Sequence, residues 1–282
     1  NLDDLPFVAR EAVLGCDYDH YRVHCLTTSR GCPYTCAFCS DRKLWSGKVR
    51  RRSVENVIAE LKYLQQNYQV DVVDFSDGTF TYDRKYVESF CKAIIDNHIT
   101  LKWRCTARYD NLDAELLELM KNANCRGLYL GAESGSDRIL DSMNKRITAD
   151  QIKKISQMVH DAGLDTVTAI IIGFPEETRE DIEATLALMR NLKTDVFDVS
   201  SFIPLPGTPA WELVADADKN EIDWRKVSYK SFDNYFLKSV SAEEFRRYMQ
   251  EAYKIAGRTQ RHTVIRVALR MLRESVGSWF KS

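Results

Sequence analysis

From residue 21 onward, short apolar runs rich in β-branched residues alternate with amphipathic stretches long enough for helices. Such alternation is typical of repeated βα units, which build a single parallel sheet. The runs predict six strands, at residues 21–27, 70–75, 101–107, 127–132, 165–173 and 196–205. Because parallel strands end at the same edge of their sheet, we expect the loops that follow them to gather the functional side chains there.

Helix start signals separate these runs. Ser53 and Thr148 each precede a stretch with apolar residues at helical spacing, and each is expected to cap a helix. Glu176, Glu177 and Thr178 directly follow the fifth run and are interpreted as the start of a helix, where acidic side chains are favoured. The sequence therefore predicts an α/β protein, and its 282 residues suit one main domain.

Three cysteines, Cys32, Cys36 and Cys39, lie in the loop after the first predicted strand. Thiolates this close together can converge on one metal centre, and three protein ligands leave a fourth coordination position open for chemistry. Ferredoxins use a CxxCxxC run instead, and zinc modules need a second ligand pair nearby, which the sequence does not provide. The pattern favours an iron–sulfur cluster, with a zinc knuckle or incidental buried cysteines as the alternatives.

The Cx3CxxC spacing, with Phe38 just before the last cysteine, resembles the signature of the radical S-adenosylmethionine (SAM) superfamily. The resemblance covers roughly residues 27–212 and implies a partial (βα)6 parallel barrel followed by a C-terminal helical extension. It implies that the three cysteines hold three irons of a 4Fe-4S cluster and that SAM chelates the fourth iron. Phe38 then belongs to the cofactor-binding residues.

Further matches to the family pattern occur at the ends of predicted strands. After the second strand, Ser76, Asp77 and Gly78 match the segment that grips the amino group of SAM. After the third, Arg108 falls where relatives keep an arginine, which can clamp a carboxylate of SAM or substrate. Asp77 can equally belong to an ordinary turn before a helix capped by Asp83. Arg108 can instead pair with an aspartate two or five residues further on.

The fourth and fifth strand ends extend the resemblance. Glu133 and Ser134 occupy the family's Gly-x-Glu-Ser run and are candidates for the ribose hydroxyls or the amino-acid end of SAM, because a carboxylate accepts hydroxyl hydrogen bonds. Lys145 falls where relatives keep a basic residue near the SAM carboxylate, although a solvated helix end explains it equally well. The main chain beside Ile172 and Gly173 matches the segment that recognises adenine.

Residues 1–20 are predicted to be a connector, ahead of a radical SAM core at residues 21–212 and a mostly helical extension at residues 213–282. The opening Leu-Asp-Asp-Leu-Pro-Phe run is similar to the segment that joins a corrinoid-binding domain to the radical SAM domain in the cobalamin-binding branch. The similarity implies cobalamin as a further cofactor, held by a domain outside this chain. The sequence leaves open whether the chain is part of a larger enzyme or a relative without that domain.

Beyond residue 212 the resemblance fades. Aromatic side chains there are predicted to pack against the core rather than line a substrate cavity; they are Trp224, Tyr229, Phe232, Tyr235 and Phe236. The last stretch has an apolar side with interspersed arginines, which favours a core-facing helix over one that lies on a membrane or docks a missing domain. The residues are Val264, Val267, Ala268, Met271 and Leu272, with Arg261, Arg266, Arg270 and Arg273.

The remaining cysteines are scattered, which suits a reducing compartment better than a disulfide framework. Each is expected to be a small buried residue, with a role in the barrel lumen for Cys105 or Cys125 as the alternative. A formal net charge of -1 disfavours nonspecific binding to a nucleic-acid backbone. The sequence contains neither a signal peptide nor a run long enough to span a membrane, so a cytoplasmic location is expected. These cysteines are Cys16, Cys25, Cys91, Cys105 and Cys125.

The expected activity follows from the resemblance. A reduced cluster cleaves SAM to methionine and a 5'-deoxyadenosyl radical, which abstracts hydrogen from an unidentified small-molecule or peptide substrate. Cobalamin-dependent methyl transfer is one subtype, beside cyclisation and rearrangement, and flavodoxin or ferredoxin is the implied reductant. A methylthiotransferase is the nearest rival, although it would carry a second three-cysteine set and a C-terminal RNA-binding barrel. A noncatalytic electron-transfer protein or a zinc-binding nucleic-acid module leaves the matches at the strand ends unexplained.

Overall fold

The computed structural model describes residues 1–12, 23–232 and 236–279, with side chains placed up to residue 264 except at 11, 217 and 262. Some predicted features lie outside these ranges. They are the end of the connector, the first two residues of the first strand, Cys16, Tyr235, and the apolar and arginine side chains of residues 265–273.

The sheet confirms the architecture that the alternating pattern predicted. The strands are β1 (Val23–Leu26), β2 (Ser29–Arg30), β3 (Arg50–Arg51), β4 (Val72–Phe75), β5 (Lys102–Ala107), β6 (Cys125–Glu133), β7 (Asp165–Ile172) and β8 (Val196–Ser201). Six of them form one curled parallel sheet in the order β1-β4-β5-β6-β7-β8, while β2 and β3 pair antiparallel with each other. The fold is therefore an α/β partial barrel with β1 and β8 at its edges.

Two of the differences from the predicted strands have clear physical reasons. The β2–β3 pair was not predicted, because strands of two residues are too short to show a periodic pattern. The last strand ends at Ser201 rather than at residue 205. Phe202 still donates its N–H to the Ile172 carbonyl at 2.9 Å, but Pro204 has no N–H to extend the ladder.

Helices between the strands cover the sheet and share its core. Ser53 and Thr148 are N-caps as predicted, each accepting a main-chain N–H in the first turn of its helix. The helices are α1 (Asp41–Leu44), α2 (Val54–Asn67), α3 (Arg84–Asp96), α4 (Ala114–Asn122), α5 (Asp137–Ser142), α6 (Ala149–Ala162), α7 (Arg179–Asn191), α8 (Pro209–Glu212), α9 (Asp216–Asn220) and α10 (Ala242–Trp279).

The helix after β7 begins later than predicted. Thr178 is its N-cap and accepts a hydrogen bond from the Asp181 N–H, while the Asp181 side chain accepts from the Thr178 N–H. This reciprocal pair fixes the start of α7, because both side chains satisfy main-chain donors. Glu176 and Glu177 therefore precede the helix, and their interpretation as its first turn is wrong.

An aromatic cluster packs between α3 and the strands β4 and β5. Phe75, Phe80, Phe90 and Trp103 are at most 2% exposed, and the centroids of their contacting rings lie 5.1 to 5.9 Å apart. Trp103 Nε1 donates to the Ala123 carbonyl at 2.6 Å, so the buried indole has its partner. The cluster fixes the two strands whose following loops contribute to the candidate site.

Cys91, Cys105 and Cys125 are the small buried residues that the sequence predicted. Burial raises the pKa of all three thiols, that of Cys91 to about 12. Cys25, in contrast, is exposed, which corrects the expectation for this residue. It lies on β1, an edge strand whose residues alternate between exposed and buried, and the alternation turns Cys25 outward.

The first twelve residues dock against α2 and β1. Leu2 is buried, and the Asp3 carboxylate accepts the Ser53 N–H at 2.9 Å. Arg10 is 3% exposed and donates from Nε to His24 Nδ1 at 3.0 Å. The described part of the predicted connector is thus fixed to the core by buried hydrogen bonds.

The chain beyond residue 212 packs on the β8 side of the sheet. Phe236 contacts Phe202 with ring centroids 6.3 Å apart, and Phe232 stacks on Tyr253 at 5.2 Å. Trp224 and Tyr229 are about half exposed. The α10 residues Phe245, Met249, Ala252, Ile255 and Ala256 are buried. Within the described part of the chain, no helix is long and apolar enough to cross a membrane.

Candidate active site

The predicted site residues lie on loops at the carboxyl ends of the parallel strands. The cysteine loop follows β1 and β2, Ser76–Gly78 follow β4, and Arg108 follows β5. Glu133 ends β6 and Gly173 follows β7. The sheet topology brings these strand ends to one edge, as the parallel arrangement requires.

Main-chain hydrogen bonds hold the cysteine loop in place. Ala37 donates its N–H to the Met143 carbonyl at 2.8 Å and accepts the Ala210 N–H at 2.9 Å. Asn144 Nδ2 donates to the Thr35 carbonyl at 3.0 Å. Gly31, with φ of +94°, begins the loop, and a Cβ there would overlap the carbonyl oxygen of residue 48. The loop is therefore held by Met143 and Asn144, which follow α5, and by Ala210 on α8.

Each of the three cysteines has a polar neighbour. Cys32 Sγ lies 3.4 Å from Thr79 Oγ1, and Cys36 Sγ accepts a hydrogen bond from Arg108 Nη1 at 3.5 Å. Burial raises the pKa of the Cys36 and Cys39 thiols, and each pKa is raised a little further by the neighbouring thiols. The three thiols lie on one short loop, and Cys32 and Cys36 each contact a residue that follows another strand of the sheet.

The positive charges of Lys145 and Arg108 oppose the effect of burial on the pKa of Cys36. For Cys39, a hydrogen bond from the Asp41 N–H does the same. Both effects favour the thiolate, which is the form that binds iron.

The residues present suit an iron–sulfur cluster, because thiolates are its usual ligands. Among the described residues, no group of three or more His, Cys, Asp or Glu side chains is arranged to hold one metal ion. In a cluster each thiolate binds a different iron. Beside this set, Asp41 Oδ2 is buried without a hydrogen-bond partner, and a Cβ on Gly78 would lie 3.1 Å from it. An unpartnered carboxylate oxygen at this place fits a cationic group of a bound cofactor.

Glu133 and Lys145 form a buried ion pair. Glu133 Oε1 accepts from Lys145 Nζ at 2.8 Å, and the two side chains are 8% and 6% exposed. Glu133 has φ of +66° at a bulge in the pairing of β6 with β7, a conformation that a residue with a Cβ adopts at a cost. Lys145 Nζ also lies 5.9 Å from the centroid of the Phe38 ring. The interpretation of Lys145 as a solvated helix end is wrong, because the pair is buried.

Arg108 pairs with Asp110, as the alternative interpretation proposed. Its Nε and Nη2 each donate to the Asp110 carboxylate at 2.9 Å, and Nη2 also donates to the Lys145 carbonyl at 2.5 Å. The guanidinium carbon lies 3.9 Å from the centroid of the Tyr34 ring. Arg108 is 4% exposed, so it is a fixed positive charge between the cysteine loop and the β6 end.

Asp77 is 2% exposed and ties β4 to the start of the cysteine loop. It accepts hydrogen bonds from Thr28 N at 3.1 Å and Thr28 Oγ1 at 2.8 Å, and also from Ser29 Oγ. Ser76 and Gly78 on either side are exposed. Asp83 caps α3, as the alternative proposed. The segment is therefore a structural turn in which Ser76 and Gly78 remain exposed.

Ser134 and Gly173 have main-chain or side-chain partners within the protein. Ser134 is fully buried, and its Oγ lies 3.0 Å from Thr185 Oγ1 on α7. Gly173 has φ of +96° and donates its N–H to Glu177 Oε2 at 2.5 Å. Ile172 is fully buried beside it. These residues are brought to the site edge, and their cofactor contacts stay predictions.

Glu177 is the site-edge residue that the sequence analysis missed. It is fully buried, its Oε1 has no hydrogen-bond partner, and burial raises its pKa to about 8. The sequence signal was weak, because an acidic pair before a helix usually belongs to the first turn. The signal that could have found it is Gly173 at the strand end, because its N–H needs an acceptor nearby and Glu177 supplies one.

We expect Glu177→Gln to flatten the pH dependence of stability between about pH 4.5 and 8. In the unfolded chain this carboxyl loses its proton near pH 4.3, whereas the folded protein retains it up to about pH 8. Folding stability is therefore lost as the pH rises through this window, by at most about 1.4 kcal/mol per pH unit. Urea unfolding at several pH values measures the slope. Equal slopes for the variant and the parent protein would contradict the assignment.

Comparisons with known proteins agree with this geometry. The family model for the radical SAM superfamily matches residues 26–189. An uncharacterized methyltransferase of Pyrococcus horikoshii is 32% identical over 260 residues, which cover 90% of this chain and 56% of that protein. An anaerobic magnesium-protoporphyrin IX monomethyl ester cyclase of Rubrivivax gelatinosus is 30% identical over 209 residues, covering 73% and 36%. The chain spans about half the length, or less, of these curated relatives.

Solved structures share the fold. The radical SAM methyltransferase TsrM of Kitasatospora setae, solved with tryptophan and a SAM analogue, has a TM-score of 0.70 at 17% identity, over 84% of this chain and 53% of that one. The cobalamin-dependent radical enzyme OxsB, solved with aqua-cobalamin and SAM, has a TM-score of 0.55 at 18% identity, over 82% and 36%. Since the family model covers more than half of the sequence, this chain belongs to the radical SAM superfamily, whose members use a 4Fe-4S cluster and SAM.

Proposed function

We propose that this chain is the catalytic domain of a radical SAM enzyme in which Cys32, Cys36 and Cys39 hold a 4Fe-4S cluster. The observation that carries the proposal is the group of three thiols at the carboxyl edge of a parallel partial barrel, beside two buried cations. When bound and reduced, the cluster supplies the electron that cleaves SAM to methionine and a 5'-deoxyadenosyl radical, which takes hydrogen from a substrate.

Arg108 and Lys145 supply positive charge beside Cys36. Cluster thiolates and the SAM carboxylate are anionic, so fixed cations next to them offset repulsion in a partly buried site. Both cations are already held by carboxylates, Arg108 by Asp110 and Lys145 by Glu133. Their role is therefore to place charge at fixed positions rather than to reach out for a ligand.

The amino group of SAM fits the opening formed by Ser76 and Gly78. Both positions are exposed, and the unpartnered Oδ2 of Asp41 adds a carboxylate acceptor beside Gly78. Asp77 contributes indirectly, because its hydrogen bonds to Thr28 hold this turn against the cysteine loop.

The sugar and base of SAM fit the ends of β6 and β7. Glu133 uses Oε1 for Lys145, which leaves Oε2 to accept from a ribose hydroxyl. The Ser134 hydroxyl is hydrogen-bonded to the Thr185 hydroxyl, so its role is to hold the turn that carries Glu133. The main chain beside Ile172 and Gly173 borders the adenine. Phe38, on the cysteine loop, lies next to Lys145.

Cobalamin-dependent methyl transfer is the subtype that we propose. Its support is the likeness to TsrM and OxsB together with the identity to an uncharacterized methyltransferase over most of this chain. A small-molecule substrate accords with the tryptophan bound to TsrM. Cobalamin would then be held by residues outside the matched core.

The test is anaerobic reconstitution with iron and sulfide, followed by incubation with SAM and dithionite. The proposal predicts about four irons per chain, visible absorption that bleaches on reduction, and 5'-deoxyadenosine in the reaction mixture. An iron-loaded protein that forms no 5'-deoxyadenosine would instead be an electron carrier. Zinc in place of iron would support a structural module.

A further inference from the structure

Five exposed basic side chains lie just before and just after the cysteine loop in the chain. Arg30, Arg42, Lys43, Lys48 and Arg50 are all exposed, and together they are called the basic patch. Between residues 30 and 54 the sequence contains one acidic residue, Asp41. The whole chain has a formal net charge of -1, so this concentration of positive charge is local.

No described residue neutralises the basic patch through an ion pair. Within the described residues, no carboxylate forms an ion pair with any of its five side chains. Some arginines elsewhere do have such partners: Arg84, Arg104 and Arg179 each approach a carboxylate within 2.6 to 2.9 Å. Unpaired like charges repel one another, so an uncompensated group of five favours association with an anionic partner.

Two residues of the basic patch line the same cavity as two of the proposed ligands. A cavity of about 450 Å³ is lined by Cys36 and Cys39 together with Arg42 and Lys43. The aliphatic part of Lys43 lies against the turn at Gly207, where a Cβ would approach its Cε to 3.1 Å. A partner bound at the basic patch therefore covers the short path to the cysteine loop.

An apolar residue lies within this charged surface. Leu44 is 71% exposed, the highest value among the exposed large apolar side chains of the described residues. An apolar centre with a charged rim is the usual composition of a protein–protein interface. Trp45 beside it does not offer a free ring for stacking on bases, because the guanidinium carbons of Arg30 and Arg50 lie 5.7 and 5.5 Å from its ring centroid.

We infer that the basic patch docks an acidic protein that carries single electrons. The inference rests on the proposed function, because a cluster that cleaves SAM must be reduced once per cleavage. In the complex the carrier is oxidised by one electron and the cluster is reduced by one, and no covalent bond is made or broken. Such redox encounters use small, charge-steered interfaces, so the complex is expected to weaken steeply with salt.

Binding of a flavodoxin to the reconstituted protein is the first measurement. Reversing two charges in Lys43→Glu/Lys48→Glu is expected to weaken binding by at least about tenfold at low salt. The matched control, Lys92→Glu/Lys154→Glu, makes the same change of charge at exposed positions on α3 and α6, and its affinity should stay within about twofold of the parent protein. Equal losses in the two variants would overturn the inference.

Iron content and thermal unfolding establish that the variant is intact, and Leu44→Ser gives a second probe that keeps all five cations. Its expected loss of flavodoxin affinity is about three- to tenfold, from the lost apolar contact. No loss would overturn the assignment of Leu44 to the centre of the interface.

The electron source separates this inference from the proposed function. With flavodoxin, its reductase and NADPH, SAM cleavage by Lys43→Glu/Lys48→Glu should fall by at least about tenfold, while cleavage driven by dithionite stays within about twofold. No cleavage by the parent protein with dithionite contradicts the proposed function, and the binding measurement still decides the inference. If the variant loses affinity for a tRNA transcript but keeps its affinity for flavodoxin, the patch is an RNA surface and the inference is wrong.

Discussion

Cys36→Ala is expected to abolish cluster binding and SAM cleavage. Cys36 is the cysteine whose thiol faces both buried cations, since Arg108 donates to its Sγ and Lys145 opposes the effect of burial on its pKa. Removing a ligand leaves two thiolates, and even changes beyond the ligands typically cost 10- to 100-fold in metal affinity, so the loss should exceed about 100-fold. Iron quantification, visible absorption and the 5'-deoxyadenosine assay measure it.

The chain offers a matched control for this substitution. Cys25→Ala also removes a thiol, but Cys25 is exposed on the edge strand β1 and is not in the cysteine loop. We expect this variant to bind iron and cleave SAM like the parent protein. If Cys36→Ala retains iron and activity, Cys36 is not a ligand, and a site made by Cys32 and Cys39 with other donors would have to be considered.

Lys145→Met is expected to destabilise the protein by about 3–5 kcal/mol, because it leaves the Glu133 carboxylate buried without its partner. Glu133 is held at φ of +66°, and its Oε1 packs closely against Gly131, where there is no room for a Cβ. Urea unfolding of the protein without cluster measures the effect separately from catalysis.

Two further variants make the result interpretable. Glu133→Gln/Lys145→Met removes both charges and should recover most of the loss, since the destabilisation comes from an unpaired charge rather than from missing volume. Lys153→Met breaks an exposed pair with Asp150, at 3.0 Å, and should change stability by less than about 0.5 kcal/mol. A loss below about 1 kcal/mol for Lys145→Met would show that water reaches Glu133.

The strand pattern was sufficient to predict the sheet, because buried parallel strands must be apolar and their order in such folds is restricted. The same pattern predicted that Cys36, Arg108 and Glu133 lie at one edge of the sheet. It did not predict side-chain direction. The bulge between Gly131 and Glu133 decides where the carboxylate points, and one added residue in a strand has no periodic signal.

Local alternatives were decided by contacts that sequence spacing does not encode. Asp77 faces Thr28, which is 49 residues away in the chain, and Lys145 faces Glu133 rather than solvent. Glu177 was assigned to a helix that begins only after Thr178, because an acidic residue before a helix and one tucked under a strand end look alike in sequence. Long-range hydrogen bonds, rather than propensity, determined each of these outcomes.

The anchoring of the cysteine loop has a consequence for repair. Ala37 is bonded on both sides, to Met143 and to Ala210, and Asn144 holds Thr35, so none of these bonds needs iron. Small zinc domains, by contrast, lose their fold with their metal. Here the cysteine loop should stay folded after oxygen damage has removed the iron. The cluster can then be rebuilt from new iron and sulfide without unfolding of the chain.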